Sequence, residues 1–252
     1  KAETLDILRC PYCGGRFELA KALHHVIDGD DLIEGVLGCH CCLFPVVAGI
    51  PVLQLQPEAV AAREALEARR PDRAFRALVS HSDEACAARF EEAARSATAT
   101  YREVVDTLGS EIEGGYFLYR FSDPSYLVAS AVVGAVAGTV LRKRGRAVDL
   151  CGGSGHLTRL LLGFSSSAPV TADLSFPKLW LASRFVAPGC EPVCCDGNAP
   201  LPFACGAFAF SVCADAFMFV WTKRQFVSEM LRLTERDGPR AVVVTHTHNQ
   251  LV

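Results

Sequence analysis

The chain has 252 residues, half of them hydrophobic, with a formal net charge of −3. That size suits one domain of about 150 to 200 residues with a small appendage, and so small a charge gives no electrostatic footprint for nonspecific RNA or DNA binding. Twelve cysteines, including the adjacent Cys194 and Cys195, which are poorly placed to bridge each other, suit a reducing cytoplasm, and no signal peptide is visible after Lys1.

Cys10-Pro11-Tyr12-Cys13-Gly14-Gly15 and Cys39-His40-Cys41-Cys42 form two C-x-x-C knuckles. The run between them predicts a hairpin from Phe17 to Val36, turned at Asp28-Gly29-Asp30. Four thiolates at this spacing satisfy tetrahedral Zn²⁺, and a closed four-sulfur shell leaves no position for water, so such a metal is structural. The expected ligands are Cys10, Cys13, Cys39 and Cys42. Cys41 and His40 are substitutes for Cys42, but C-x-x-C geometry favours Cys39 with Cys42; a redox dithiol or a pair of disulfides is the competing reading. With Leu43-Phe44-Pro45-Val46-Val47-Ala48-Gly49-Ile50-Pro51-Val52-Leu53 following, residues 5 to 55 resemble small zinc-ribbon proteins that serve as partner subunits of certain RNA and translation-factor methyltransferases. The resemblance implies a ribbon over residues 1–56, stable through its metal or through docking on a larger domain.

Residues 57–145 are expected as a helical linker and a segment before the main domain. Between 57 and 107, apolar residues at helical intervals, such as Ala62, Leu66, Phe75, Leu78 and Val79, predict helices. Arg69, Arg70, Arg73 and Arg76 read as a solvated face. Ser125 to Leu141 is almost wholly apolar, with Gly134 and Gly138 in a G-x-x-x-G arrangement, followed by the basic cluster Arg142 to Arg146. A membrane span needs about 20 apolar residues, and Asp149 follows too soon for a membrane exit. A helix buried against a sheet is therefore expected, with its glycines allowing close approach.

Ala147-Val148-Asp149-Leu150-Cys151-Gly152-Gly153-Ser154-Gly155 reads as a buried strand breaking into a glycine-rich turn at the head of a helix that begins near His156. Such a turn lets backbone approach a charged ligand, and NAD, FAD, nucleotide and S-adenosylmethionine sites all use one. A second strand ends in Ala172-Asp173-Leu174-Ser175, with its acid 24 residues after Asp149. A third leads into Cys195-Asp196-Gly197-Asn198-Ala199-Pro200-Leu201-Pro202-Phe203, and a fourth covers Gly206 to Asp215. In this order, and continued through Glu229 to Leu233 and Asp237 to Val244, residues 147 to 246 resemble the class I S-adenosylmethionine-dependent methyltransferases. The resemblance implies an α/β fold over 146–252, a Rossmann-like parallel sheet. It also implies site residues. Gly152, Gly153 and Gly155 would pass under the methionine portion of the cofactor, with Cys151 where the family most often has glycine, and Asp149 would orient the ammonium group. Asp173, with Leu174 beside it, would accept hydrogen bonds from both ribose hydroxyls. Asp196, Gly197 and Asn198 would frame adenine with Phe203 nearby, and Tyr116, Tyr119 and Arg120 would cover the cofactor, although ring packing accounts for those aromatics equally well.

Methyl transfer from a sulfonium needs alignment more than a metal or a covalent nucleophile. If the acceptor is a weak acid, candidate bases sit at the ends of the fourth and fifth strands: His246 first, then Asp215 and His248. The segment carrying His246 and His248 also reads as a polar turn, or as a pair of metal ligands. Members of this family usually continue past the fifth strand, so the sheet looks incomplete at Val252: either the sequence is a fragment, a partner chain or a second copy supplies the edge, or the fold is reduced. The sequence thus predicts a cytoplasmic methyltransferase that uses S-adenosylmethionine, carries structural Zn²⁺ and acts on a small metabolite or natural-product intermediate, without nucleic-acid or membrane partners. RNA or protein methylation with a fused activator module, and a noncatalytic scaffold of the same fold, are the alternatives.

Overall fold

The computed structural model describes residues 2–79, 84–108, 117–142, 145–234 and 237–245. A short helix α1 (Ala2–Ile7) leads into an antiparallel sheet of β1 (Glu18–Leu19), β2 (Val26–Asp28), β3 (Asp31–Gly38), β4 (Leu43–Val47) and β5 (Ile50–Pro51). Strand β3 is its centre, paired with β1, β2 and β4, and β5 adds to β4. The β2–β3 hairpin turns at Gly29, as its sequence signal predicts.

This sheet does not close a core of its own. Leu8, Cys10, Phe44 and Leu53 are buried in one apolar cluster with Val148, Val170, Phe203 and Phe226 from the C-terminal part. Wholly burying a side chain such as Phe44 contributes about 2 kcal/mol. Backbone bonds stitch the same seam: Arg9 N–H donates to the Pro202 carbonyl at 2.9 Å and Ala204 N–H to that of Ile7 at 2.7 Å. Phe203, expected beside adenine, instead lies fully buried here, edge-on to Phe208 at 5.3 Å. Its ring follows the apolar seam because the ribbon covers that side of the turn.

Helices α2 (Pro57–Glu67), α3 (Pro71–Val79), α4 (Glu84–Arg95) and α5 (Tyr101–Asp106) follow. Prolines open α2 and α3, where a missing N–H costs nothing, and Thr100 and Glu103 cap α5 reciprocally. Their apolar faces, with Ala62, Leu66, Leu78 and Phe90, pack on Phe176, Leu179 and Trp180. Arg76 is not part of a purely solvated face. Its Nε donates to Glu91 at 2.7 Å, and the buried Glu91 also binds Arg95, which supplies the partners a buried carboxylate requires.

The second sheet contains β6 (Ala147–Leu150), β7 (Val170–Asp173), β8 (Glu191–Cys194), β9 (Phe210–Ala214) and β10 (Ala241–Thr245), in the order β10-β9-β6-β7-β8. Every pairing is parallel. Helix α6 (Pro124–Val140) precedes it, and α7 (His156–Leu162), α8 (Phe176–Leu181) and α9 (Lys223–Leu233) follow β6, β7 and β9. The chain winds from β6 out to β8, then returns to the other side of β6 for β9 and β10. In open α/β sheets a crevice forms at the carboxyl ends beside such a reversal.

Helix α6 starts at an Asp123 cap that accepts from Ser125 N–H at 2.7 Å. Val133, Ala137 and Leu141 pack on Phe210 and Val212, and Gly138 admits the Phe164 ring. The burial is one-sided, however: Leu127, Val128 and Val132 are exposed, where uniform apolarity predicts a helix covered all round. No helix among the described residues is long and apolar enough to cross a membrane.

Candidate functional site

A cavity of about 1070 Å³ opens at the carboxyl ends of β6, β7, β8 and β9. Its floor is the glycine-rich turn after β6. Gly152 is required there by space, since an added Cβ would lie 2.6 Å from Thr171 Oγ1 and 2.9 Å from Asp149 Cγ. Gly155 is required by conformation as well: its φ is 79°, and a Cβ would sit 2.8 Å from Ala182 Cβ. Cys151 adopts a left-handed φ of 57° with its side chain kept, a conformation that favours the glycine of the resembled pattern.

Three acids from successive strand ends line the cavity: Asp149, Asp173 and Asp196. Asp149 is 1% exposed and accepts from Thr158 Oγ1 at 2.7 Å. Burial pushes its carboxyl up to about 7; the Thr158 hydroxyl and N–H pull it down, and the Asp173 charge adds to the rise. Asp173 is braced by backbone, with Gly153 N–H on Oδ2 and Ser175 N–H on Oδ1, both at 2.9 Å. One acceptor site on each oxygen is thereby occupied, and the remaining lone pairs serve any ligand. Asp196 Oδ1 accepts from Asn198 N–H at 2.8 Å. Asn198 itself spends its carbonyl on Trp221 N–H at 2.7 Å, holding the loop after β9. Gly197 lies against Cys151 and Phe226, and the half-exposed Leu174 forms part of the cavity wall.

The other end of the cavity is built by the start of α6 and the end of β9. Arg120 and Asp215 form a buried ion pair at 2.7 Å, and Arg120 also donates to Ser125 Oγ at 2.9 Å. Asp215, expected as a free base, is thus engaged by a guanidinium, and its φ of 57° turns it toward that partner. Tyr119, expected over the cofactor, is 62% exposed and does not line the cavity. Tyr116, His246 and His248 lie outside the described residues.

His156 is the cavity residue to which the sequence assigns no role. It is buried at the first position of α7, with Nδ1 bonded to Ser154 Oγ at 3.1 Å and the rings of Phe121 and Tyr126 edge-on. Nε2 is buried and makes no hydrogen bond of good geometry among the described residues. Burial pushes the imidazole down to about 4, the Arg120 charge adds to this and the Phe117 carbonyl opposes it, so the ring is neutral near pH 7. Its only sequence signal is its place directly after the turn.

Away from the cavity, the sulfurs of Cys10, Cys13, Cys39 and Cys41 lie within 4.8 Å of one another. The separations Cys10–Cys41 and Cys13–Cys39 are 3.7 Å and Cys39–Cys41 is 3.8 Å. A tetrahedral shell with Zn–S near 2.3 Å has S···S edges of about 3.8 Å. The fourth sulfur of this group is that of Cys41, while Cys42, expected as the fourth ligand, lies outside it. Cys42 Sγ is only 3.2 Å from Cys41 Sγ, too short for two thiolates of one shell, and its side chain packs against the apolar seam. All twelve cysteines are free thiols.

No family model matches the chain, and no curated protein matches it. Solved structures resemble part of it. S-adenosylmethionine-bound CalS10, an amino pentose methyltransferase from Micromonospora echinaspora involved in calicheamicin biosynthesis, is 19% identical over 53% of this chain and 56% of its own, with a TM-score of 0.44. An S-adenosylmethionine-dependent methyltransferase from Mesorhizobium loti is 20% identical over 45% and 52%, with a TM-score of 0.39. The [4+2]-cyclase SpnF is 18% identical over 45% and 43%, also at 0.39. The chain spans about half the length of each of these structures. With these TM-scores all below 0.5, function is inferred from the cavity itself.

Proposed function

We propose that the chain binds S-adenosylmethionine in this cavity and transfers its methyl group to a small-molecule acceptor, with a structural Zn²⁺ held by Cys10, Cys13, Cys39 and Cys41. One observation carries the reading: three carboxylates at successive strand ends face one cavity, and the most buried of them, Asp149, has no cation beside it among the described residues. Ionising Asp149 in that surrounding costs roughly 4 kcal/mol, which a ligand ammonium offsets. A ligand that also brings hydroxyl and amine donors to Asp173 and Asp196 answers all three acids.

When bound, the cofactor supplies a methyl group already activated on sulfonium sulfur. The chain's contribution is to bind and to orient. Asp149 and the Gly153–Gly155 backbone fix the amino-acid end, and Asp173, rigid on its two backbone donors, fixes the ribose. The Arg120–Asp215 pair and neutral His156 form the acceptor end, where Nε2 offers one hydrogen bond to an acceptor placed for in-line attack. At about 1070 Å³ the cavity exceeds the usual range for one drug-sized ligand, which supports a second small molecule beside the cofactor. The net charge of −3 weighs against a nucleic-acid acceptor.

Tritiated-methyl transfer from S-adenosylmethionine into fractionated cell extract tests the reading. Label is expected in the small-molecule fraction. Label in RNA or protein supports the alternative acceptors, and cofactor binding with no transfer in any fraction supports a noncatalytic scaffold.

A further inference from the structure

Part of the cavity wall comes from the N-terminal ribbon. After β5 the chain runs on through Val52, which bridges in parallel to Cys194, and Leu53, whose N–H donates to the Cys194 carbonyl at 2.7 Å. The next residues, Gln54, Gln56 and Glu58, line the cavity together with Asp173, Leu174 and Asp196.

Cys194 fixes how Gln54 presents its amide. The Cys194 thiol donates its hydrogen to the Leu174 carbonyl at 3.3 Å. Burial, reinforced by the Asp173 charge, raises its pKa and keeps it protonated. A thiol that has given its one hydrogen can only accept, so the neighbouring amide must offer Nε2, which lies 3.4 Å from the sulfur. Oε1 is thereby turned away, buried and without a hydrogen-bond partner among the described residues. An unsatisfied buried acceptor is costly, and because Gln54 lines the cavity, a small turn of its side chain would bring Oε1 to a ligand donor there.

We propose that Gln54 is a nucleoside-binding residue contributed by the ribbon, its Oε1 accepting a hydrogen bond from the adenosyl group, from either the exocyclic amine or a ribose hydroxyl; this rests on the S-adenosylmethionine reading of the cavity. The ribbon then builds part of the cofactor site in addition to covering the β8 edge.

Calorimetric titration of S-adenosylhomocysteine into the zinc-loaded wild type, Gln54→Met and Gln225→Met, with thermal midpoints as folding controls, tests the assignment. Gln54→Met keeps the length of the side chain but removes the acceptor, and it should bind about tenfold more weakly. Gln225→Met, altering an exposed side chain of α9 away from the cavity, should stay within about twofold. S-inosylhomocysteine, which carries a carbonyl in place of the amine, separates the two donors. Equal binding of this ligand by wild type and Gln54→Met identifies the amine, and a persisting gap identifies the ribose. Gln54→Asn, which keeps the amide but withdraws it by one methylene, replaces Gln54→Met if that variant does not fold, with the same expectation. A folded variant that binds S-adenosylhomocysteine as tightly as wild type overturns the assignment alone. Failure of the wild type to bind overturns the cofactor reading and the Gln54 assignment with it.

Discussion

The cysteine cluster and the cavity both gather groups that want a cation, but they hold them differently. In the ribbon, four sulfurs lie within 4.8 Å of one another, three of their separations at the edge length of a tetrahedral shell, which suits an ion that stays. In the cavity, Asp149 sits on a rigid floor beneath open space, held by Thr158 and raised to about 7. That suits a ligand that comes and goes. On the proposed function, the contrast separates a site that would stabilise the fold from one that is kept at some cost to it.

Breaking the first site should have the largest effect. Because Cys10 and Phe44 belong to the same apolar cluster as Val148 and Phe226, Cys39→Ser or metal chelation should lower the thermal midpoint by at least roughly 10 °C and release zinc, as measured by scanning fluorimetry and metal analysis. Asp149→Asn should do the opposite to stability and still damage binding. Removing a buried, uncompensated charge should leave the ligand-free midpoint unchanged or higher, while S-adenosylhomocysteine affinity falls about 30-fold. Gly152→Ala sharpens the role of the floor. Its Cβ would collide with Thr171 and Asp149, so denaturant unfolding should show a loss of about 2 kcal/mol together with weakened binding.

A pH series gives a smaller effect with a defined sign. Asp149 is raised to about 7, so the ligand-free folded chain holds a proton there that the unfolded chain has already released. Its stability should fall as pH rises from about 4 to 7 and then level off. Binding of an ammonium favours the carboxylate and expels that proton, so S-adenosylhomocysteine affinity should rise about tenfold between pH 6 and pH 8. Smallest of all should be Cys42→Ser. With Cys41 completing the shell, it should retain zinc and cost less than about 1 kcal/mol.

How much was legible in the sequence follows from how local each signal is. The parallel sheet, the helices between 57 and 107 and the positions of Asp149, Asp173 and Asp196 could be read because strand ends, glycine turns and helical periods are short-range patterns. What escaped depends on distant partners. Asp215 is defined by Arg120, which lies 95 residues earlier in the chain, and Asn198 by the backbone of Trp221. Phe203 left the expected adenine edge for a seam created by the ribbon's docking. The choice of Cys41 over Cys42 turns on which of two adjacent sulfurs faces the cluster and which the core, a distinction spacing cannot make. His156 carried a positional signal, since it opens α7, but its burial and its neutral ring emerge only once α6 packs over it.

Calorimetric titration of S-adenosylhomocysteine into the folded, zinc-loaded chain, repeated near pH 7 in two buffers of different ionisation enthalpy, tests the central claim most directly. Binding that releases a fraction of a proton at pH 7 in wild type, and none in Asp149→Asn, is the predicted result. Absence of binding, or binding whose proton release is the same with and without the Asp149 carboxylate, would contradict the account.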